Sequence, residues 1–154
     1  MNYGTEFKKY AMSDHSVSST KLNYYEKQIE SSMTPYILEE REMRATQIDI
    51  FSRLMADRLL WVAGPVNDGM STVVQAQLMF LDSVDKKDIT MHIDSPGGSV
   101  KSGLSMVDVM DYIKSDIRTV NTGMAASMGS VLLGAGTKGK RSSLRHSTTM
   151  LHQS

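Results

Sequence analysis

The sequence predicts an α/β protein with a parallel sheet built from repeated strand–helix units. Three observations carry that expectation. Short apolar runs alternate with longer segments whose apolar residues recur at helical spacing. Glycine, proline or asparagine punctuates the junctions. One short run starts at Ile89 and the next at Ile117, 28 residues on, close to the length of one strand–helix–strand unit. Such a succession folds with right-handed crossovers into a parallel sheet.

Taken in order, residues 1–33 are polar and serine-rich, and apart from a short helix expected around Leu22–Ile29 they lack apolar periodicity. They read as a flexible N-terminal extension or a removable propeptide, with the folded domain spanning 34–154. Leu59-Leu60-Trp61-Val62 is a strand that ends at Gly64-Pro65. Asn67, Asp68 and Gly69 are start signals for a largely buried helix over 70–83. Ile89–Ile93 forms the next strand, followed by a Ser-Pro-Gly-Gly turn and a helix over 99–114, with Val100, Leu104 and Val107 at helical spacing. Ile117–Asn121 is a strand, 127–135 a helix, and Ser147–Leu151 a last strand that His146 begins.

The 154 residues suffice for one domain with its own core. Formal net charge is zero, so no global field draws nucleic acid or an anionic membrane. No stretch is apolar enough to span a bilayer, and MNYGTEFKKYAMSDHSVSST has no signal-peptide core. Cysteine is absent, which removes disulfides and thiol chemistry and fits a cytoplasmic setting. No cofactor and no metal ligand set is expected.

In open parallel sheets, sites lie beyond the carboxyl ends of the strands. Three features fall there. Ser127, in Ala125-Ala126-Ser127-Met128-Gly129, is a relative of the G-x-S-x-G nucleophile elbow, whose small residues permit a sharp strand-to-helix turn; the plain alternative is a helix cap. Gly97-Gly98 lets backbone N–H groups approach a ligand, or simply makes a turn. The N–H groups of Gly98 and Met128 are then candidate oxyanion donors. His152 follows the last strand and is the candidate base, where an ordinary polar residue is the alternative. Together these are the parts of an acyl-transfer site. Gly134–Lys140 also matches the G-x-x-x-x-G-K phosphate loop. It follows a helix, and Arg141 stands where a Mg²⁺-holding hydroxyl belongs, so Lys138, Lys140 and Arg141 read as a solvated basic turn.

The runs DSPGGSVKSGLSMVDVMDYIK, TGMAASMGSVLLGAGTKGKR and MLHQ, in that order and with 25 residues from serine to histidine, resemble the proteolytic subunit of the Clp protease family. The resemblance covers about Thr34 to Ser154. It implies the ClpP/crotonase fold and an ATP-dependent serine endopeptidase that degrades unfolded polypeptides. It also implies a homo-oligomer of two stacked heptameric rings served by an AAA+ unfoldase. By that resemblance Ser127 is the nucleophile, His152 the general base, and Gly98 and Met128 the oxyanion donors. Family members often carry aromatic residues where Thr90 and His92 stand, in a pocket that takes unfoldase loops. The family's triad acid and long intersubunit helix lie beyond a position equivalent to Ser154. The 154 residues alone are therefore expected to be nearly silent and not to form the double ring. Two other classes remain open: a crotonase-like acyl enzyme acting on thioesters, which needs no serine and histidine so placed, and a non-catalytic or incomplete ring subunit that only binds partners.

Overall fold

The computed structural model describes residues 9, 12, 13, 36–41 and 44–153. The helix expected around Leu22–Ile29 lies outside them. The chain enters through an antiparallel pair, β1 (Tyr36–Arg41) and β2 (Arg44–Asp49), in which Tyr36 faces Asp49 and Arg41 faces Arg44. The short helix α1 (Ile50–Ala56) follows directly, its first turn capped by the Asp49 carboxylate, which accepts from the Ser52 N–H at 2.9 Å. None of β1, β2 or α1 is foreseen in the sequence reading, because YILEER and RATQID show no clean apolar alternation.

The main sheet is parallel, in the order β3 (Leu59–Ala63), β4 (Ile89–Ser95), β5 (Ile117–Ala126), β6 (Arg141–Ser143). A further strand, β7 (Thr148–Met150), also pairs with β5, beyond β6 along the same edge. Three helices complete the units: α2 (Asp68–Val84), α3 (Val100–Tyr112) and α4 (Met128–Gly134). This is the mixed α/β architecture with a parallel sheet that the sequence predicts. Two local expectations need correction. His146 lies in the turn before β7 rather than in the strand, and β6 is an additional short strand.

Strand period two decides the layering. Leu60 and Val62 of β3, Ile89, Met91 and Ile93 of β4, and Ile117 of β5 are buried with Val73, Val74, Leu78 and Leu81 of α2, Met106 of α3 and Leu132 of α4. The alternate residues Trp61, Thr90, His92 and Val120 remain partly or largely accessible on the opposite face. Helix starts follow local chemistry. The Asn67 side chain accepts from Met70 N–H and the Ser99 side chain from Ser102 N–H, each worth about 1 kcal/mol. Arg58, held at φ 62°, donates through its guanidinium to the carbonyls of Leu81, Asp85, Lys87 and Asp88. It thereby fastens the end of α2 and the segment after it to the start of β3.

Candidate active site

At the carboxyl end of β4 the chain reads Asp94-Ser95-Pro96-Gly97-Gly98. Ser95 is fully buried, and its hydroxyl donates to Gly64 O at 2.7 Å and accepts from Gly97 N–H at 3.1 Å. The turn after β3 and the turn after β4 are thus tied together. Val66 N–H donates to Gly97 O and Ser99 N–H to Val66 O, both at 2.9 Å. Neither bond of this bridge uses the Gly98 N–H. Gly98 adopts φ 148°, and a Cβ there would run into Val66 O. Gly97 adopts φ 92°, and a Cβ there would lie 2.7 Å from Ser127 Cβ and 2.9 Å from Met128 N. The glycine turn and the serine turn are therefore in backbone contact, which explains the need for glycine.

Ser127 is the junction of β5 and α4. Its dihedrals, φ 52° and ψ −121°, are sparsely populated by any residue with a side chain and cost of order 1–3 kcal/mol. Its side chain makes no capping bond, which excludes the plain helix-cap alternative. Small neighbours make the turn possible. Ala125 is fully buried, and a Cβ on Gly129 would lie 2.8 Å from Ser95 O. The Ser127 N–H donates to Met150 O at 2.9 Å, so it is spent on β7. The Met128 N–H, in the first turn of α4, has no carbonyl four residues back to receive it. The Met128 side chain anchors the turn by packing over Gly103 of α3.

Beyond β7, His152 is exposed, with Nδ1 2.6 Å from Gln153 O. A carbonyl only accepts, so Nδ1 carries the proton in this contact. The structure brings Ser127, Gly97, Gly98, Met128 and the β7 end to one sheet edge. It does not close a Ser127–His152 hydrogen bond. Such contacts are often long before substrate binds. Chemically the arrangement offers a serine hydroxyl free of the capping role, an imidazole two residues past the strand that bonds the Ser127 N–H, and the Met128 and Gly98 N–H groups at the same end of the sheet.

The phosphate-loop match has a different use. Lys140 bonds Asp88 and Asp116, each at 2.8 Å, at the amino ends of β4 and β5 and so opposite Ser127. Within this exposed basic turn Lys140 is thus an ion-paired clamp, while Lys138 and Arg141 remain exposed. Two features escaped sequence reasoning. Trp61 stacks on His92 at 4.9 Å between ring centroids, a pairing readable in hindsight from their alternate-face positions on neighbouring strands. Buried Asn121 bonds into β7, a contact with no sequence signal.

A parallel sheet ending in a glycine turn and a strained serine turn is that of a ClpP/crotonase-type protein. A family model for Clp protease matches residues 40–154. Curated relatives called ATP-dependent Clp protease proteolytic subunit include one from Bacteroides fragilis, 50% identical over 96% of this chain and 68% of the relative. Another, from Porphyromonas gingivalis, is 49% identical over 96% of this chain and 67% of the relative. A second Bacteroides fragilis relative is 57% identical over 79% of this chain and 59% of its own length. The chain belongs to the Clp protease family. Among the described residues, no helix is long and apolar enough to cross a membrane.

Proposed function

We propose that this chain is a serine endopeptidase subunit that works in the cytoplasm on unfolded polypeptides delivered by an AAA+ unfoldase. Its working form is a homo-oligomer of stacked heptameric rings. Residues 34–154 form the peptidase domain and 1–33 an extension removed from the mature protein. The observation that carries the reading is the Ser127 turn, which holds the residue in a strained conformation against the Gly97 backbone and leaves its hydroxyl outside the capping role.

Ser127 Oγ attacks the scissile carbonyl while His152 Nε2 takes its proton. Negative charge then develops on the carbonyl oxygen. The Gly98 and Met128 N–H groups stabilise it, and the loss of one such donor costs about 10²–10³ in kcat. The intermediate collapses as the imidazolium gives its proton to the leaving amine. Water, activated by the same imidazole, releases the acyl group. With Nδ1–H engaged by a carbonyl oxygen, the imidazole is in the tautomer this sequence needs.

An alkyl fluorophosphonate applied to the full-length protein tests the assignment. It should phosphonylate Ser127 with loss of fluoride, and Ser127→Ala should abolish both labelling and peptide hydrolysis while leaving the melting temperature within a few degrees. Labelling that persists unchanged in Ser127→Ala would refute it.

A further inference from the structure

We propose that Asn121 is a positioning residue for this reaction: its buried carboxamide locks the register of β7 and so fixes where His152 emerges relative to Ser127. The proposal rests on the reading of Ser127 and His152 given above.

The sheet is irregular where the site begins. Ile93, Asn121 and Ser143 lie side by side on β4, β5 and β6, and Ser95, Ala125 and Thr149 lie side by side further on. Between these two rows β4 advances two residues, β5 four and the outer chain six. Extra chain therefore accumulates toward the β7 side. On the inner side, the excess in β5 is held by Asp94 Oδ1, which accepts from Met124 N–H at 2.9 Å, and by Thr122 Oγ1, which donates to Ile93 O. On the outer side it is held by Asn121. This side chain is fully buried. Its Nδ2 donates to Thr148 O at 3.0 Å and to Thr149 Oγ1 at 3.1 Å. Its Oδ1 accepts from Gly123 N–H at 3.3 Å, and its backbone carbonyl accepts from Leu144 N–H at 2.9 Å. The amide orientation follows from these partners, because Thr148 O only accepts and Gly123 N–H only donates.

Little else sets the register of β7. The strand is three residues long and all three are exposed, so burial does not choose between one pairing and the next. A slip of one residue moves the chain by about 3.3 Å and turns every side chain over. It would also replace Met150 O opposite Ser127 N–H, and His152 would leave the sheet at a different place. Both donor positions of one buried amide are spent on Thr148 and Thr149, immediately before that contact.

The test follows phosphonylation of Ser127 by a fluorophosphonate in the full-length protein, alongside hydrogen exchange of the Ser127 amide. In Asn121→Asp the donor group becomes an acceptor facing Thr148 O. The rate constant of phosphonylation should fall about 10- to 100-fold, as expected for a reacting group displaced by about an ångström. The final extent of labelling should match the parent. The Ser127 amide should lose protection while amides of α2 keep theirs. A reduced extent at the parent's rate constant would mean that Asn121 only supports folding, and would overturn the proposal. Parental rate and parental Ser127 protection would overturn it as well. If Asn121→Asp does not fold, Thr149→Val, which deletes one acceptor on an exposed residue, is judged by the same two readouts. A folded parent that is never phosphonylated at Ser127 defeats the underlying reading and this proposal with it, and is the one outcome in which the parent is silent.

Discussion

Gly97 is the residue through which the glycine turn touches the serine turn. A methyl group there meets Ser127 Cβ and the Met128 amide at once, and φ 92° disfavours any side chain independently. Gly97→Ala must therefore shift the serine turn, loosen the Val66–Gly97 bond, or both. On the proposed function, the rate of Ser127 phosphonylation by the fluorophosphonate should fall by about 10²-fold, because misplacement of that size near a reacting atom costs as much. Stability should fall by about 1–3 kcal/mol, the usual cost of a strained backbone conformation. Denaturant titration and labelling kinetics of the same preparation check both. An alanine variant with parental kinetics would mean that the two turns are not in functional contact.

At the scale of elements, the amino end of the sheet is governed by charge. Asp88 has its carboxyl lowered from the ordinary range, first by the hydrogen bond from Lys140, against a smaller opposing effect of desolvation. Lys140 is raised, first by its bond to Asp116 and then by that to Asp88. A carboxyl lowered in the folded state stabilises the fold above its unfolded value of about 4 and loses that contribution as pH falls through the lower folded value. The raised amine contributes below its unfolded value of about 10.4 and loses this only as pH climbs through the raised folded value. Lys140→Met should thus cost little at neutral pH, since the pairs are largely solvated, and should flatten the acid decline of the melting temperature. Melting curves from neutral to acid pH decide it, and parallel curves for parent and variant would count against the clamp. The same elements mark what was legible in the sequence. β3, α2, β4, α3 and β5 announce themselves because buried strands and amphipathic helices carry period and punctuation. The pair β1–β2 and the strand β6 do not, because short strands with exposed or mixed faces carry neither. Ser127, Gly97 and Gly98 were legible because strained backbone demands small residues nearby. Asn121 was not, since a buried amide reads in sequence as any polar residue. The ion pairs of Lys140 were not legible either, because a spacing motif says nothing about which carboxylates the topology brings to it.

Across the whole molecule, one face of the sheet carries the helices, and the other presents Trp61, Thr90, His92 and Val120. His92 is held below its ordinary pKa by burial, and its Nδ1 is buried without a partner. On the proposed function we take this face as the seat for unfoldase loops, and the stacked Trp61–His92 pair already offers part of an apolar surface there. Replacement of Thr90 and His92 by tyrosine should add to it, at about 25 cal/mol per Å² of apolar surface removed from water. Titration of an AAA+ unfoldase against parent and the Thr90→Tyr, His92→Tyr double variant should show tighter binding by the variant, and equal affinities would count against this face. On the proposed function, the first 33 residues should also be lost by cleavage near Met33 in active protein and retained in Ser127→Ala. Intact mass decides this: an active form that keeps Met1–Met33 would rule it out. One hydrogen bond has a consequence for the life history of such a subunit. The serine and the histidine arrive on separate stretches of chain, and the bond from Ser127 N–H to Met150 O forms only when the outermost strand docks. A nascent or partly unravelled subunit has its hydroxyl but no neighbouring imidazole. On the proposed function, destructive power is thereby withheld until folding is finished, a form of latency that needs no separate inhibitor.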